Sequence, residues 1–395
     1  MQAQGIKSIK KLGIQSSLDF KVNHKDHNFY AEGIVVSNSH SLATSYLTAL
    51  TVYLKYKYPK EFYLACLNEA KEKTKHTESI AQIQKELRHF NISLLPPHIL
   101  RSDIDFKIVG NDIMFGLGSI KGINNETIEK LNKFRHPHSN KFEIFTGAKE
   151  AGLSIGVLGA LVLCGSLGNE KRSKLLYEAQ LFNLLTINEK RLIIELGPRC
   201  NFDLVQCLRY LRTLKNERGK PILKDSRYET IKKHEIPYKK MFEFNSKHEN
   251  LMQWWAEKTL LGYSYSIKLI DIYKDVAPDL ITIEEINSSL EGERVHCIGE
   301  VIKVVNRKGK ESGQKYLRVE VQDHTGSCQV LLCNTEKYDK VGEHIEDNQR
   351  AVEEGDIVVV NGSKGKDIIF ANKIGVQEKL LIMKASEIKE EKELN

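Results

Sequence analysis

The sequence predicts a multidomain α+β protein: a short β segment first, a mostly helical middle, and a small antiparallel β-barrel at the C-terminus. Two patterns support this prediction. Apolar residues recur with the 3.6-residue period of a helix through much of residues 42–273. After Asp279, β-branched residues alternate with polar ones in short runs between glycine-rich or charged turns. At about 100–200 residues per domain, 395 residues suffice for several domains.

The N-terminal segment, residues 1–38, is predicted to form short strands and turns and is too short to fold alone. It ends at Asn38, with Ser39 next and His27 upstream. An asparagine amide can attack its own carbonyl carbon, forming a succinimide and breaking the following peptide bond, when a fold positions it and His27 assists. Ser39 offers a hydroxyl that can accept an acyl group. The alternative is an ordinary hairpin with a deamidation-prone Asn-Ser loop.

The amino-acid sequence of this segment matches the motifs of a known family in two stretches, Asp19–Val22 and Asp26–Ser39. They resemble the C-terminal splicing motifs of an intein, and the methionine that opens the chain makes it similar to the C-terminal half of a split intein. The resemblance implies protein trans-splicing. Asn38 would cyclise, and Ser39 would be the acceptor nucleophile. His27 would assist both steps, and Asp19 matches the assisting carboxylate of the family.

Two departures from the intein pattern bear on this interpretation. Ser37 stands where many inteins have a histidine, so cyclisation of Asn38 would depend more on His27. Residues 1–38 contain no N-terminal nucleophile and no Thr-x-x-His motif. A partner chain carrying the other intein half is therefore expected.

Residues 39–110 are predicted to be helices, interrupted at Pro59 and followed by an extended segment at Leu95–Pro97. Several segments match one family in amino-acid sequence: Ser39–Ala43, Thr51–Lys55, Tyr58–Phe62, Leu95–Pro97 and Ile113–Ile123. The family is the α subunit of bacterial DNA polymerase III, and residues 39–110 resemble the end of its fingers.

Residues 111–190 are predicted to be short helices between glycine turns, and Ile120–Asn124 with the helix after it suits a helix-hairpin-helix. Residues 161–175 resemble the second hairpin of the same polymerase family, which implies a tandem helix-hairpin-helix region. Glycines in such turns let backbone N–H groups approach phosphates closely. Asn124 replaces the usual second glycine, and because asparagine tolerates a left-handed conformation, we expect the turn to persist with weaker phosphate contact. The predicted DNA contacts of the two hairpins are Lys121, Gly122, Asn124, Gly165, Gly168 and Arg172. A glycine-rich turn without phosphate contact is the alternative for the second hairpin.

Residues 191–280 are predicted to be a basic helical connector. Residues 207–240 alone carry a net charge of +7, equal to that of the whole chain, which favours an anionic partner such as nucleic acid. A solvated helical face is an equal alternative. The polymerase resemblance also implies a sliding clamp as a partner, for which Gln180–Phe182 is a weak candidate peptide and a core helix the preferred explanation.

Residues 281–378 are predicted to be the barrel, and they resemble the oligonucleotide-binding fold of the same family. The loop Arg307–Lys315 joins the first two strands, where such folds grip single strands. Basic side chains there would follow phosphates, and a tyrosine would stack on a base. The predicted contacts are Lys308, Lys310, Lys315, Tyr316 and Arg318. Residues 379–395 form a charged tail.

The palm carboxylates that hold two metal ions in such a polymerase are not recognised in the sequence. Asp103 and Asp105 are the only tempting pair, and a solvated turn explains them better. The resemblance therefore implies the C-terminal part of a replicative polymerase, spliced to a separately encoded N-terminal fragment. That fragment would bind most of the Mg²⁺ and the deoxynucleoside triphosphates, and splicing itself needs no cofactor.

Two other functions stay open: an accessory single-stranded-DNA-binding subunit with an inert hairpin, and non-covalent assembly of the two polymerase fragments. Seven scattered cysteines without a Cys-x-x-Cys pair predict reduced core residues, with neither disulfides nor a metal site. Without a signal peptide or a membrane span, the cytoplasm of a bacterium or phage-infected cell is the expected compartment.

Overall fold

A computed structural model describes residues 28–31, 34–37, 40–168, 171–275, 277–308, 315–333 and 352–376 of the chain. Contacts divide the chain into two compact units, Met1–Tyr63 and Leu64–Asn395, and each is described by itself.

The first unit contains a hairpin and a long helix. Strands β1 (Asn28–Ala31) and β2 (Ile34–Ser37) pair in antiparallel register. Helix α1 (His40–Lys57) follows, and α2 (Pro59–Ala70) begins at the proline that ends α1, a residue well suited to the first helical position. Both helices were predicted. Large apolar side chains of α1 are exposed, among them Tyr46, Leu47, Leu50, Val52, Tyr53, Leu54 and Tyr56.

The second unit is mostly helical up to the barrel, as predicted. Its helices after α2 are α3 (His76–Leu87), α4 (Asn125–Phe134), α5 (Lys141–Glu150), α6 (Ile155–Leu163), α7 (Arg172–Asn183), α8 (Ile187–Leu196), α9 (Leu204–Thr213), α10 (Asp225–Lys247), α11 (Glu249–Leu261), α12 (Leu269–Tyr273) and α13 (Ile283–Ser288). Short 3₁₀ turns occur at Arg88–Phe90, Leu117–Ser119 and Gly197–Cys200.

A small sheet precedes the hairpin region. Strands β3 (Leu94–Leu95), β4 (Lys107–Val109) and β5 (Asp112–Met114) form it, with β5 in the middle. The sequence predicted only an extended segment at Leu95 and did not indicate the other two strands. Strands of two or three residues are too short to show the alternation by which a strand is recognised.

The C-terminal barrel is closed, with strand order β10-β8-β7-β6-β9. Its strands are β6 (Arg294–Lys308), β7 (Lys315–Gln322), β8 (Ser327–Cys333), β9 (Ile357–Lys364) and β10 (Ile368–Val376). The prediction of an OB-like antiparallel barrel is confirmed, with one parallel pairing that the sequence did not indicate. Strand β10 pairs in parallel with β8, because the last strand closes the cylinder by returning beside the third. Alternate valines such as Val319, Val321 and Val330 fill its interior.

The described cysteines other than Cys333 form no disulfide, and four of them, Cys164, Cys200, Cys207 and Cys297, are buried. This agrees with the prediction of reduced core residues. Within the described residues no helix is both long and apolar enough to cross a bilayer. Nor do three or more His, Cys, Asp or Glu side chains there form a group able to hold a metal ion.

Candidate nucleic-acid interface

The first hairpin presents an open turn before α4. Gly122 has φ +95°, and a Cβ added to it would meet no atom within 4 Å. Lys121 and Gly122 are exposed, but the Lys121 backbone N–H already donates to Leu260 O at 3.0 Å. This hairpin therefore offers a lysine side chain and a sterically open glycine to a phosphate, without the Lys121 amide.

Asn124 takes a different role from the one expected. Its backbone is extended, with φ −117° and ψ 172°, and its Oδ1 accepts a hydrogen bond from the Thr127 N–H at 3.0 Å. The left-handed residue of this turn is Gly122, so the turn does not use the left-handed conformation that asparagine tolerates. The asparagine is the N-cap of α4 and satisfies one of the amides that a helix start leaves unpaired.

The second hairpin, between α6 and α7, is built into the core. Arg172 is 8% exposed, and its Nη1 lies 2.7 Å from Oε1 of the fully buried Glu257. Its Nη2 donates to Tyr265 Oη at 3.1 Å. A Cβ on Gly165 would lie 2.4 Å from that hydroxyl oxygen. The geometry therefore argues against the predicted phosphate contacts of Arg172 and Gly165, since both face the interior.

The N-terminus of α7 is also occupied. The Ser173 N–H donates to Oε1 of Glu249 at 3.1 Å, so a carboxylate from α11 takes the place that an anion prefers at a helix start. Of the predicted residues in this hairpin, only Gly168 is exposed, with φ +115° and no atom within 4 Å of an added Cβ.

The barrel presents a continuous outer row across four strands. Arg318 on β7 pairs in register with Val305 on β6 and Leu331 on β8, and Leu331 pairs with Phe370 on β10. The alternate residues Leu317 and Val319 point into the core, so these four lie on the outer face.

Two side chains of this row suit a single-stranded nucleic acid. Phe370 is 47% exposed, and its ring lies over Gly365, where a Cβ would come within 2.6 Å of it. Arg318 is exposed and donates from Nε to Gln329 Oε1 at 2.9 Å, which fixes the guanidinium on the surface. A ring for stacking and a cation for phosphates are the groups that sequence-tolerant single-strand binding uses.

The predicted loop contacts are only partly described. The Tyr316 side chain is half-buried and lies on the same face of β7 as Arg318, two residues away. Lys308 pairs in register with Lys315 at the end of the β6–β7 hairpin. The side chains of both lysines, and all of Lys310, lie outside the described residues.

The basic residues at 207–240 divide into two groups. Four form ion pairs, namely Arg212 with Asp225, Arg227 with Glu189, Lys232 with Glu235 and Lys239 with Glu243. The others have no carboxylate partner among the described residues: Arg209, Lys215, Arg218, Lys220, Lys224, Lys233 and Lys240. Part of the window is thus tied into the helices, and part stays available to an anion.

The tempting acidic pair is neutralised locally. Asp105 lies 2.8 Å from Lys71 Nζ, and Asp103 lies 3.0 Å from Lys107 Nζ. These contacts agree with the interpretation as a surface turn. Within α7, Leu181 and Phe182 are buried, which agrees with the core-helix explanation of Gln180–Phe182.

The predicted splicing residues are Asp19, His27, Asn38 and Ser39, and all four lie outside the described residues. Sequence reasoning missed Phe370, although the apolar alternation of residues 368–376 was available as a signal. It also missed a group of cations from α3 and from the segment after α11, which distant parts of the chain bring together.

A family model described as a helix-hairpin-helix motif matches residues 91–175. The chain is 25% identical over 379 residues to DNA polymerase III subunit alpha of Helicobacter pylori, covering 90% of this chain and 27% of that protein. It is 34% identical over 146 residues to the same subunit of Aquifex aeolicus, covering 35% of this chain and 12% of that protein. The chain therefore spans about a quarter of the length of the first relative.

Among solved structures, the yeast mitochondrial single-stranded DNA binding protein Rim1 matches with a TM-score of 0.18 and 11% identity, over 22% of this chain and 98% of that one. The sequence matches and the helix-hairpin-helix region together support one statement: this chain is similar to the C-terminal portion of DNA polymerase III alpha subunits.

Proposed function

We propose that the chain is the DNA-contacting C-terminal part of a replicative DNA polymerase α subunit. The observation that carries the proposal is the outer row of the barrel, Val305, Arg318, Leu331 and Phe370, which combines a surface guanidinium with an exposed ring. In this function the barrel holds the single-stranded template, and the first hairpin contacts a duplex phosphate. The reaction carboxylates, Mg²⁺ and nucleotides belong to a separate N-terminal fragment.

The exposed apolar side chains of α1 support the need for such a fragment. Tyr46, Leu50 and Tyr53 have the spacing of one helix face, and an exposed apolar face of this kind marks an interaction surface. The Helicobacter subunit is about four times longer than the segment matched here, so most of that protein lies outside the match.

A labelled oligothymidine and fluorescence anisotropy test the DNA-contacting function with the full chain. We expect Phe370→Ala to weaken binding by about 1–3 kcal/mol, which is roughly 5- to 150-fold. Phe244→Ala is the matched control, because that ring is 43% exposed on α10, away from the barrel strands. Equal affinities of the wild type, Phe370→Ala and Arg318→Gln would contradict the proposal.

We also propose that the chain splices in trans to the N-terminal fragment. The match of Asp19–Val22 and Asp26–Ser39 to the intein motifs supports this. The β1–β2 hairpin ends one residue before Asn38, an arrangement that fits both splicing and an inert hairpin.

The proposed splicing chemistry is balanced within the two chains. The Ser39 hydroxyl accepts the acyl group of the N-terminal fragment, and the partner's intein half leaves. The side-chain amide nitrogen of Asn38 then attacks the backbone carbonyl carbon of the same residue. This breaks the peptide bond to Ser39 and frees the Ser39 amine, and His27 accepts and donates the protons. The acyl group finally moves from the oxygen to that amine.

Mass spectrometry after mixing the chain with a fragment carrying the complementary intein half tests this step. Splicing releases a segment ending in the Asn38 succinimide and yields a product joined at Ser39, whereas Asn38→Ala yields neither. An unchanged mass with a partner that binds would instead indicate non-covalent assembly. An unchanged mass and binding only to DNA would indicate an accessory single-stranded-DNA-binding subunit.

A further inference from the structure

A small cavity of about 70 Å³ lies where α3 and α11 meet the turn between β7 and β8. Cations from three parts of the chain line it: Lys85 and Arg88 from the end of α3, Lys258 from α11, and Lys268 from the segment that follows α11. Gln322 and His324 line it from the barrel side. The cavity thus gathers four positive side chains that are far apart in sequence.

Two carboxylates, Glu300 and Asp323, line the cavity beside the four cations, which leaves a formal net charge of 4 − 2 = +2. Glu300 contacts the Lys258 ammonium. Asp323 is used by backbone amides, since its Oδ1 accepts from Gly326 N at 2.9 Å and its Oδ2 from Ile283 N at 2.9 Å.

The remaining cations have no carboxylate in contact among the described residues. Arg88 donates from Nη1 to the backbone oxygen of His324, a neutral acceptor. Lys85 and Lys268 have no ion pair in the described part of the chain. Three cationic groups therefore face a cavity the size of one small anion.

Crowding of like charges is visible in the lysines themselves. Burial, and after it the nearby Arg88, lowers the pKa of Lys85, while Asp323 and Glu320 act less strongly in the opposite direction. Burial, and after it Lys85, lowers the pKa of Lys258 to about 8. A bound anion relieves this repulsion and replaces the lost hydration of the ammonium groups.

The cavity also lies at the end of the outer face of β7. Arg318, Glu320 and Gln322 alternate along that face, and Gln322 reaches the cavity about 13 Å from Arg318 at a strand rise of about 3.3 Å per residue. A strand of nucleic acid that crosses the row at Arg318 and follows β7 arrives at Lys85 and Lys268.

We propose that this cavity is a phosphate-binding site, and that its occupant is one backbone phosphate of the single strand that crosses the barrel. The assignment of the occupant rests on the proposed DNA-contacting function. The site differs from the hairpin and barrel contacts, because its cations come from helices α3 and α11 and from the segment after α11, outside both motifs.

Anisotropy titrations of the full chain with oligothymidine over a series of KCl concentrations test the site. We expect Lys268→Gln, at an exposed side chain, to reduce the magnitude of the slope of log K against log salt by about 0.7, the value for one phosphate contact of a single strand. Lys85→Gln is expected to do the same. Lys247→Gln is the matched control, since this lysine is exposed at the end of α10, and its slope should equal that of the wild type.

Inorganic phosphate at constant ionic strength separates the two sources of the ligand. Lys258 Nζ lies 5.3 Å from the centre of the Trp254 ring, so intrinsic tryptophan fluorescence reports on occupancy. If the occupant is a nucleic-acid phosphate, the oligonucleotide changes this emission in the wild type and changes it less in Lys268→Gln.

Failure of the inference and failure of the proposed function give different results. Oligonucleotide binding with wild-type salt slopes in both lysine variants overturns the site while leaving the DNA-contacting function intact. No oligonucleotide binding by the wild type overturns both. Saturation by inorganic phosphate, with oligonucleotide slopes unchanged in the variants, overturns the nucleic-acid occupant.

Discussion

Replacement of Glu257 by glutamine probes the buried ion pair that holds the second hairpin in the core. The carboxylate is fully buried and accepts five hydrogen bonds. Arg172 Nη1 donates at 2.7 Å and the Ser264 hydroxyl at 2.8 Å. The Ser266 hydroxyl donates at 2.5 Å, and the backbone amides of Tyr265 and Ser266 donate at 2.8 and 3.0 Å. Glu257 therefore ties the start of α7 to the segment that leads from α11 toward the barrel.

Glu257→Gln lowers the free energy of unfolding because the neutral amide cannot balance the charge of the buried Arg172. The Arg172 guanidinium stays buried without a counter-charge, which costs about 3–5 kcal/mol when one partner of a buried pair is removed. Arg172→Met costs less, because four donors still stabilise the carboxylate. The double variant should cost less than the sum of the single ones, by a coupling energy of about 0.5–3 kcal/mol.

Urea unfolding followed by tryptophan fluorescence measures these differences, because Trp254 and Trp255, the only tryptophans, lie in the same helix as Glu257. Glu243→Gln is the control, since Glu243 forms an exposed pair with Lys239 at 3.6 Å and should cost less than about 1 kcal/mol. A cost of Glu257→Gln no larger than that of the control would refute the assignment of Arg172 to the core.

Three further variants test local features of the second unit. Burial raises the pKa of Glu189, but the hydrogen bonds it accepts, first from Arg227, lower it by more. Its contribution to stability is therefore full above the unfolded pKa and lost as pH falls through the folded one, so Glu189→Gln should cost about 2 kcal/mol near neutral pH and progressively less in acid. Asn124→Ala removes the cap of α4 and should cost about 1 kcal/mol in the same unfolding assay. Gly262→Ala should cost more than Asn124→Ala, because φ is +93° and the added Cβ would lie 2.2 Å from Thr77 O.

Each of these variants has an outcome that contradicts its reasoning. If Glu189→Gln lowers the free energy of unfolding by the same amount from neutral to acidic pH, the pKa of Glu189 is not lowered in the folded state. Stability of Asn124→Ala equal to the wild type means that the cap is replaced by water. A Gly262→Ala variant as stable as the wild type means that the turn after α11 relaxes away from Thr77.

Much of the fold could be predicted from the periodicity of apolar residues and from the positions of proline and glycine. Pro59 predicted the boundary between α1 and α2, and the apolar alternation after Asp279 predicted β6, β7 and β8. The short strands β4 and β5 could not be predicted, since three residues carry no recognisable period. The parallel pairing of β8 with β10 could not be predicted either, because alternation indicates which side chains face inward but not the neighbour of a strand.

The residues of the candidate interface also fall into those that local sequence predicted and those that it did not. By itself the sequence determined that Lys121 and Gly122 form an open turn and that β7 places Arg318 on a surface, because turn residues and strand alternation are local properties. Only the tertiary structure decided the roles that depend on partners distant in the chain. It buried Arg172 against Glu257, 85 residues away, and gathered Lys85 and Lys268 at one cavity, since packing selects contacts that no local pattern encodes.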